Sequence, residues 1–274
     1  MQIVTLVSRE TAVAPASLPT GVAAASAIRL SNVSKVYGHA GNAVPALDRV
    51  SLDVAKGEFV CLLGASGCGK STLLNLVAGL DGPSAGTVEV PGGAATLMFQ
   101  DAALFPWLTV RGNVDLALKL RKVPRAQRPQ RVHDLLRLVH LDGFEKKLPH
   151  ELSGGMRQRV QLARSLAQEA DVLLMDEPFG ALDAMTRDVL HDELERLWRE
   201  TDLTVLFVTH NVREAVRLGD RVVLLTSRPG RVAAEFPVEL DRPRRIESHD
   251  VADIAAGITE RLREEVRRHG HTRD

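Results

Sequence analysis

Several features common in other protein classes are scarce in this chain of 274 residues. It has only two cysteines, Cys61 and Cys68, which are too few for a disulfide framework and would stay reduced in a cytosol. Lysine plus arginine and aspartate plus glutamate both number 35, so the formal net charge is zero. This balance argues against charge-driven binding of nucleic acid, and we expect no nucleic-acid partner.

Long apolar stretches are also lacking. The longest apolar runs, among them 59–63 and 222–225, have the length of a buried strand and fall well short of the roughly 20 residues that cross a bilayer. No basic leader precedes the apolar residues 3–7, which is not typical of a signal peptide. Residues 1–27, rich in alanine, serine, proline and threonine, are predicted to be a flexible extension. We therefore expect a cytoplasmic chain that reaches a membrane only through another protein.

The pattern changes after this extension. Short apolar runs alternate with helical patterns, which is typical of a parallel sheet in an α/β protein. Residues 100–168 are mainly helical and interrupt the alternation as an insertion. A charged amphipathic stretch at 254–268 is interpreted as part of a solvated tail. The predicted organisation is a core at 28–99 and 169–238, the helical insertion, and a tail at 239–274.

A glycine-rich stretch at 64–71, Gly-Ala-Ser-Gly-Cys-Gly-Lys-Ser, fits the phosphate-loop pattern GxxxxGK[ST] at every fixed position. Its glycines allow a tight turn whose backbone N–H groups point at phosphate oxygens, and a helix N-terminus follows. Lys70 is predicted to reach the β- and γ-phosphates, and the Ser71 hydroxyl to bind Mg²⁺. The alternative is a glycine-rich turn with an incidental lysine. The predicted nucleotide-binding residues here are Gly64, Ala65, Ser66, Gly67, Cys68, Gly69, Lys70, Ser71 and Thr72.

Cys68 lies within this loop, close to a lysine and a helix N-terminus. Such surroundings can lower the pKa of a thiol. The alternative, which we favour, is that Cys68 is a small side chain that fills space.

Two carboxylates, Asp176 and Glu177, directly follow the apolar run 172–175. Packing explains them poorly, because charges beside a buried strand need partners. Asp176 is predicted to coordinate Mg²⁺, and Glu177 to orient or deprotonate an attacking water. A helix cap or a surface pair of acids is the alternative.

Polar side chains end two further predicted strands, Gln100 after a run that ends at Met98-Phe99 and His210 after 204–208. Either one alone would more often have a structural role. In open α/β sheets, however, ligands bind at the carboxyl ends of the strands. We therefore expect Lys70, Gln100, Asp176, Glu177 and His210 to converge on one edge of the sheet.

One further segment is more specific than a phosphate loop. Residues 152–159, Leu-Ser-Gly-Gly-Met-Arg-Gln-Arg, closely resemble the signature of the ABC ATPases. A serine and two glycines at a helix start offer a second cradle of backbone N–H groups, although alone they could be a helix cap and a turn. In the ABC family two subunits pack head to tail, with each ATP between the phosphate loop of one and the signature of the other. The resemblance implies a homodimer and nucleotide contacts from Ser153, Gly154 and Gly155.

Other residues match this family in the expected order over about 28–230. Tyr37, the only tyrosine, resembles the aromatic residue that stacks on adenine, and could equally belong to the core. Gln100 matches the Q-loop residue that contacts Mg²⁺, Asp183 in an Ala-Leu-Asp sequence matches the D-loop of the dimer interface, and His210 matches the switch histidine. The resemblance implies Glu177, His210, Lys70 and Gln100 as catalytic residues and Ser71, Gln100 and Asp176 as Mg²⁺ ligands.

The implied fold is an α/β phosphate-loop NTPase core with a mostly parallel sheet, a small antiparallel β-subdomain and an inserted α-helical subdomain. Met156 replaces the commoner glutamine of the signature, and the short stretch 89–98 indicates a reduced β-subdomain. These departures, with Asp-Ala-Ala-Leu-Phe-Pro-Trp at 101–107 and Ser-Arg-Pro-Gly-Arg at 227–231, look like the nitrate, sulfonate and taurine importers.

The resemblance implies the ATP-hydrolysing subunit of an importer on the cytoplasmic face of a membrane. Its implied partners are membrane permease subunits and, indirectly, an extracytoplasmic binding protein, and its implied cargo is a small anion such as an aliphatic sulfonate, taurine or nitrate. Phe105 and Trp107 are predicted either to dock a permease helix or to pack the helical subdomain. A soluble ABC ATPase, for example one of iron–sulfur assembly, is the alternative function.

Overall fold

The structure, a computed structural model, describes residues 25–38, 41–93, 95–180 and 182–270. Almost all of the predicted extension, and Ala181 of the Ala-Leu-Asp sequence, lie outside these residues. Three strands from the first third of the chain form an antiparallel sheet of order β2-β1-β4. Its strands are β1 (Ser26–Tyr37), β2 (Val44–Ala55) and β4 (Ala85–Glu89).

A six-stranded sheet forms the centre of the molecule, in the order β5-β6-β7-β3-β8-β9. Its first five strands are parallel, and β9 is antiparallel to β8. Every residue of β3 and β7 is buried, because layers cover both faces of the sheet. The strands are β3 (Phe59–Leu63), β5 (Ala95–Met98), β6 (Val172–Asp176), β7 (Thr204–Val208), β8 (Arg221–Leu225) and β9 (Val232–Pro237).

Helices cover the two faces of this sheet. One face packs on α1 and the antiparallel sheet, and the core on the other face includes residues of α2 to α7. This arrangement confirms the predicted α/β class. The helices are α1 (Lys70–Val77), α2 (Val110–Leu120), α3 (Arg128–Leu138), α4 (Gly154–Leu166), α5 (Ala184–Glu200), α6 (Val212–Leu218) and α7 (His249–Gly270), with a 3₁₀ turn at Pro149–Glu151. Among the described helices, none is long and apolar enough to span a bilayer.

Helices α2, α3 and α4 occupy the segment predicted as a helical insertion. Asn113, fully buried on α2, stabilises the entrance to this insertion. Its side-chain amide donates to the carbonyls of Phe105, Leu108 and Thr109, and its Oδ1 accepts from the Phe105 N–H at 2.9 Å. The chain after β5 is therefore held firmly where it enters the helical subdomain.

The interpretation of the C-terminal segment as a solvated tail is wrong. Helix α7 packs on α6, and its residues Val251, Ala255 and Ile258 are buried at helical spacing. Full burial of an aliphatic side chain contributes about 1.5–3 kcal/mol, which is enough to hold this face against the core. Arg244 anchors the preceding segment through its guanidinium, which donates to the carbonyls of Val216, Gly219, Val238 and Leu240.

Candidate functional site

The loop 64–69 joins β3 to α1 at the carboxyl edge of the sheet. Gly67 has φ 74° and Gly69 has φ 99°, both in the left-handed region that favours glycine. A Cβ on Gly69 would lie 2.7 Å from Leu47 Cδ2 and 2.8 Å from the Ala46 carbonyl oxygen. Glycine is therefore required for the loop to turn tightly against β2 and present its backbone N–H groups at the helix start.

Lys70, the first residue of α1, is buried within this loop. Its Nζ donates to the carbonyl oxygens of Gly64 at 2.8 Å and Ala65 at 3.1 Å. A positive charge and a helix N-terminus thus lie in one concave turn, which fits the phosphate groups of a nucleotide.

Cys68 does not have the lowered pKa that its position in the sequence suggested. Its side chain is 1% exposed, and burial raises the pKa of the thiol even though the charge of Lys70 acts in the opposite direction. A Cβ on Gly64 would lie 2.6 Å from Cys68 Sγ, so the sulfur fills the space behind the loop. The structure favours the interpretation of Cys68 as a filler.

Asp176 ends β6 beside the start of α1. Burial raises the pKa of its carboxyl group, and the negative charge of Glu177 acts in the same direction. A hydrogen bond from the Ser71 hydroxyl and the charge of Lys70 act to lower this pKa. The Ser71 hydroxyl and the Asp176 carboxylate both offer oxygen atoms, and a nearby cation would favour the ionised form of the carboxylate. The pair therefore fits Mg²⁺, which prefers oxygen ligands.

Three strand ends bring Gln100, Glu177 and His210 together. Glu177 has φ 46°, which is unusual for a residue with a side chain, and its N–H donates to the Val208 carbonyl at 3.0 Å. Its Oε2 lies 3.2 Å from His210 Nδ1 and 3.5 Å from Gln100 Nε2. Amide, carboxylate and imidazole therefore form one cluster at the carboxyl edge, next to Asp176.

The second glycine-rich helix start belongs to α4, in the helical subdomain. Ser153 is its N-cap and accepts the Met156 N–H at 3.2 Å. A Cβ on Gly155 would lie 2.6 Å from Leu182 Cδ2, so glycine lets the loop before α5 approach closely. Ser153 itself is exposed, so this helix start faces solvent in the single chain.

Asp183 and Tyr37 lie at the surface, apart from the carboxylate cluster. Asp183 is the N-cap of α5 and accepts the Thr186 N–H at 2.9 Å. Hydrogen bonds from Thr186 hold the pKa of Asp183 below its ordinary value. Tyr37 is 41% exposed and donates its hydroxyl to Asp81 at 3.3 Å, so it does not belong to the core.

One group of residues beside the site was missed in the sequence. His191 on α5 and Glu214 on α6 are buried and lie 2.6 Å apart between Nε2 and Oε1. Arg217 and Thr209 contact the same pair. In the sequence, Glu214 could have indicated this group, because it is an acidic residue four positions after His210 at the start of an apolar helical pattern.

The chain is similar to known proteins in both sequence and structure. The sequence profile described as ABC transporter matches residues 47–180. The chain is 48% identical over 238 residues to the taurine import ATP-binding protein TauB of Rhizobium johnstonii, covering 83% of this chain and 89% of that protein. It is 44% identical over 220 residues to the nitrate import ATP-binding protein NrtD of Synechocystis sp., covering 78% of this chain and 83% of that protein. Its structure is similar to a dimeric ATP-binding cassette in a post-hydrolysis state bound to ADP and Pi, with a TM-score of 0.71 and 32% identity, covering 78% of this chain and 100% of that one.

Proposed function

This chain belongs to the family of ABC transporter ATP-binding proteins and is an ATPase, and we propose that it drives the uptake of a small anion through a membrane permease. The observation that carries the proposal is the edge of the sheet where Lys70, Asp176 and the Gln100–Glu177–His210 cluster meet. The import of taurine and nitrate by relatives supports the cargo class. Aliphatic sulfonates share the same small anionic chemistry.

The residues divide the chemistry of hydrolysis between them. The backbone N–H groups of the loop 64–69 and the charge of Lys70 bind the phosphates and stabilise negative charge on the transferred group. Glu177 accepts a proton from the attacking water, and His210, 3.2 Å away, positions the γ-phosphate. Ser71, Asp176 and Gln100 would hold Mg²⁺, which neutralises charge on the β- and γ-phosphates when bound. Tyr37 would stack on the adenine.

A second copy of the chain completes the site in this proposal. Ser153, Gly154 and Gly155 offer their helix N-terminus at the surface of the helical subdomain. Asp183 lies at the surface at the start of the next helix. Head-to-tail pairing would place this helix start on the phosphates bound by the partner, and the solved relative is itself dimeric.

A groove at the entrance to the helical subdomain is proposed to bind the permease. It is a cavity of about 590 Å³ whose walls include Phe99, Phe105, Leu120 and Arg164. Trp107 follows the groove residue Phe105 by two positions and is 72% exposed. The centroids of the two rings lie 5.6 Å apart. Exposed aromatic residues beside an apolar groove suit an amphipathic helix from a permease on the cytoplasmic face of a membrane.

Co-purification tests the transport function. Tagged Glu177→Gln protein is captured with ATP and Mg²⁺ from detergent-solubilised membranes, and its partners are identified by mass spectrometry. We expect a permease with several membrane helices, and we expect Glu177→Gln/Trp107→Ala to lose it while Glu177→Gln/Val266→Ala, altered at an exposed apolar residue of α7, keeps it. Recovery of iron–sulfur assembly proteins without a permease would overturn the transport function.

The cargo is tested once the permease is in hand. ATP hydrolysis by the complex in liposomes is measured with its binding protein and taurine, an aliphatic sulfonate or nitrate. One of these anions should stimulate hydrolysis. Stimulation by a neutral or cationic solute alone would contradict the proposed cargo class.

A further inference from the structure

Four buried polar side chains lie beside the Glu177–His210 cluster and have no part in the chemistry proposed above. His191 is 0% exposed, Thr209 3%, Arg217 4% and Glu214 5%. Buried polar and charged groups are costly unless each is paired. The four side chains come from α5, from α6 and from the end of β7, so their contacts join three elements.

The hydrogen bonds assign the proton of His191. Arg217 Nη1 lies 3.0 Å from His191 Nδ1, and because a guanidinium only donates, Nδ1 must be the acceptor. The ring proton is therefore on Nε2, which donates to Glu214 Oε1 at 2.6 Å. The other oxygen of Glu214 accepts from the Thr209 hydroxyl. Both carboxylate oxygens are thus engaged by donors from different elements.

The ionised form of Glu214 suits this arrangement. Burial acts to raise the pKa of Glu214, but the hydrogen bonds from His191 and Thr209 and the nearby positive charge together hold the pKa below its ordinary value. The charge of Arg187 on α5 acts in the same direction as these hydrogen bonds. A charged acceptor makes stronger hydrogen bonds than a neutral one, so the connection is stiff.

This group reaches the catalytic cluster through Thr209. Thr209 directly precedes His210, and its Oγ1 also accepts the Asn211 N–H at 3.0 Å. Asn211 caps α6 and accepts the Glu214 N–H at 3.3 Å. One small cavity is lined by residues of both groups, among them Glu177, His210 and Glu214, so the two groups border the same space. The backbone on both sides of His210 is therefore held by contacts to Glu214.

The same group reaches the loop before α5. Arg187 donates to the carbonyl oxygens of Leu182 at 2.8 Å and Phe179 at 3.3 Å. The Phe179 ring lies edge-on to His191 at 5.3 Å between centroids. Asp183, at the end of this loop, begins the helix that carries His191. A shift of Phe179 or Leu182 would therefore be transmitted to Glu214 through Arg187 and His191.

We propose that Glu214 is a positioning residue for His210, held by His191 and Thr209, and that it makes the place of His210 depend on Phe179 and Leu182, the residues that Arg187 contacts before α5. This inference rests on the proposed function in one respect, the role of His210 in hydrolysis. A displacement of about 1 Å at a catalytic group can cost 10²-fold in rate. Loss of the Glu214 contacts should thus lower turnover without weakening nucleotide binding.

The test compares kcat, KM and the Kd for ATP in Glu214→Gln and wild-type protein. Glutamine keeps the shape but turns an NH₂ group towards one of the two donors, so one hydrogen bond is lost. We expect kcat to fall roughly 10- to 100-fold, with the Kd nearly unchanged. Thr209→Val should lose part of the rate and Thr209→Ser, which keeps the hydroxyl, should recover it.

Glu195→Gln is the matched control. Glu195 lies on α5, is 4% exposed, and pairs with Arg242 at 3.4 Å. It should keep a normal kcat whatever it does to Tm. If both variants lower kcat alike and in step with Tm, Glu214 is merely structural and the inference is overturned.

A double variant separates the inference from the function on which it rests. In a His210→Ala background, Glu214→Gln should lower kcat little further, because the group it positions is already gone. Independent, multiplying losses would overturn the positioning role alone. Normal hydrolysis by His210→Ala itself would overturn the role proposed for His210, and with it the inference.

Discussion

Two glycine-rich helix starts in this chain differ both in backbone and in surroundings, since Gly69 before α1 is left-handed and Ser153 before α4 is extended. The loop 64–69 lies at the carboxyl edge of the sheet, with Lys70 inside it and Asp176 beside it. The segment 153–155 opens α4 at the surface of the helical subdomain, where Ser153 is exposed. A helix N-terminus can attract phosphate in both places, but only the first has a buried lysine and an aspartate beside it. We therefore expect the first to bind nucleotide alone and the second to act only on a nucleotide held by another copy.

The largest effect should come from Glu177→Gln, which removes the proposed base at the carboxyl edge of the sheet where the first helix start lies. We expect kcat for ATP hydrolysis to fall by about 10²–10⁴, because the variant cannot accept the proton of water. Nucleotide binding should persist, since the loop and Lys70 are unchanged. Steady-state hydrolysis and equilibrium binding check this, with Glu200→Gln, an exposed acid of α5, as control. Normal turnover would remove Glu177 from its role.

The next effect sharpens the contrast at the second helix start. Gly154→Asp places a negative charge at the first turn of α4, which favours the helix but repels phosphate. We expect hydrolysis to fall by about 10², as when one oxyanion donor is lost, while the isolated chain binds ATP normally. The variant should also fail to form an ATP-dependent dimer in sedimentation. Weakened ATP binding by the isolated chain would show that both helix starts contact the nucleotide bound by the same chain.

Removal of Lys70 tests the first helix start as a binding site. Lys70→Ala should weaken ATP binding roughly 10- to 100-fold, because hydrogen bonds to charged groups contribute about 1.5–3 kcal/mol. Isothermal titration measures the Kd, and Lys56→Ala, on the turn between β2 and β3, is the control. An unchanged Kd would contradict the assignment of the loop.

The smallest effect should be at Tyr37. Tyr37→Ala removes a ring that is 41% exposed, and the loss of stacking should weaken ATP binding about 2- to 10-fold. Tyr37→Phe should restore the affinity, since the ring is kept while the hydrogen bond to Asp81 is lost. Titration with ATP and with inorganic triphosphate separates base from phosphate contacts, and a loss shared by both ligands would argue against stacking.

The fold was predictable where local pattern and burial agree. The predicted strand at 59–63 matches β3, because it is an apolar run that is buried along its whole length. Helix α7 was misjudged, since an amphipathic pattern does not say whether its apolar face finds a partner. That partner, α6, lies more than 30 residues earlier in the chain.

The sequence by itself predicted a phosphate-binding loop, because a glycine-rich turn and the helix after it are local structures. It also determined which strand ends carry Gln100, Glu177 and His210. Only the tertiary structure decided how these side chains meet, that burial raises the pKa of Cys68, and that Glu214 lies between His191 and Thr209. The physical reason is that burial and pairing depend on contacts between residues far apart in the chain, which the order of residues does not display.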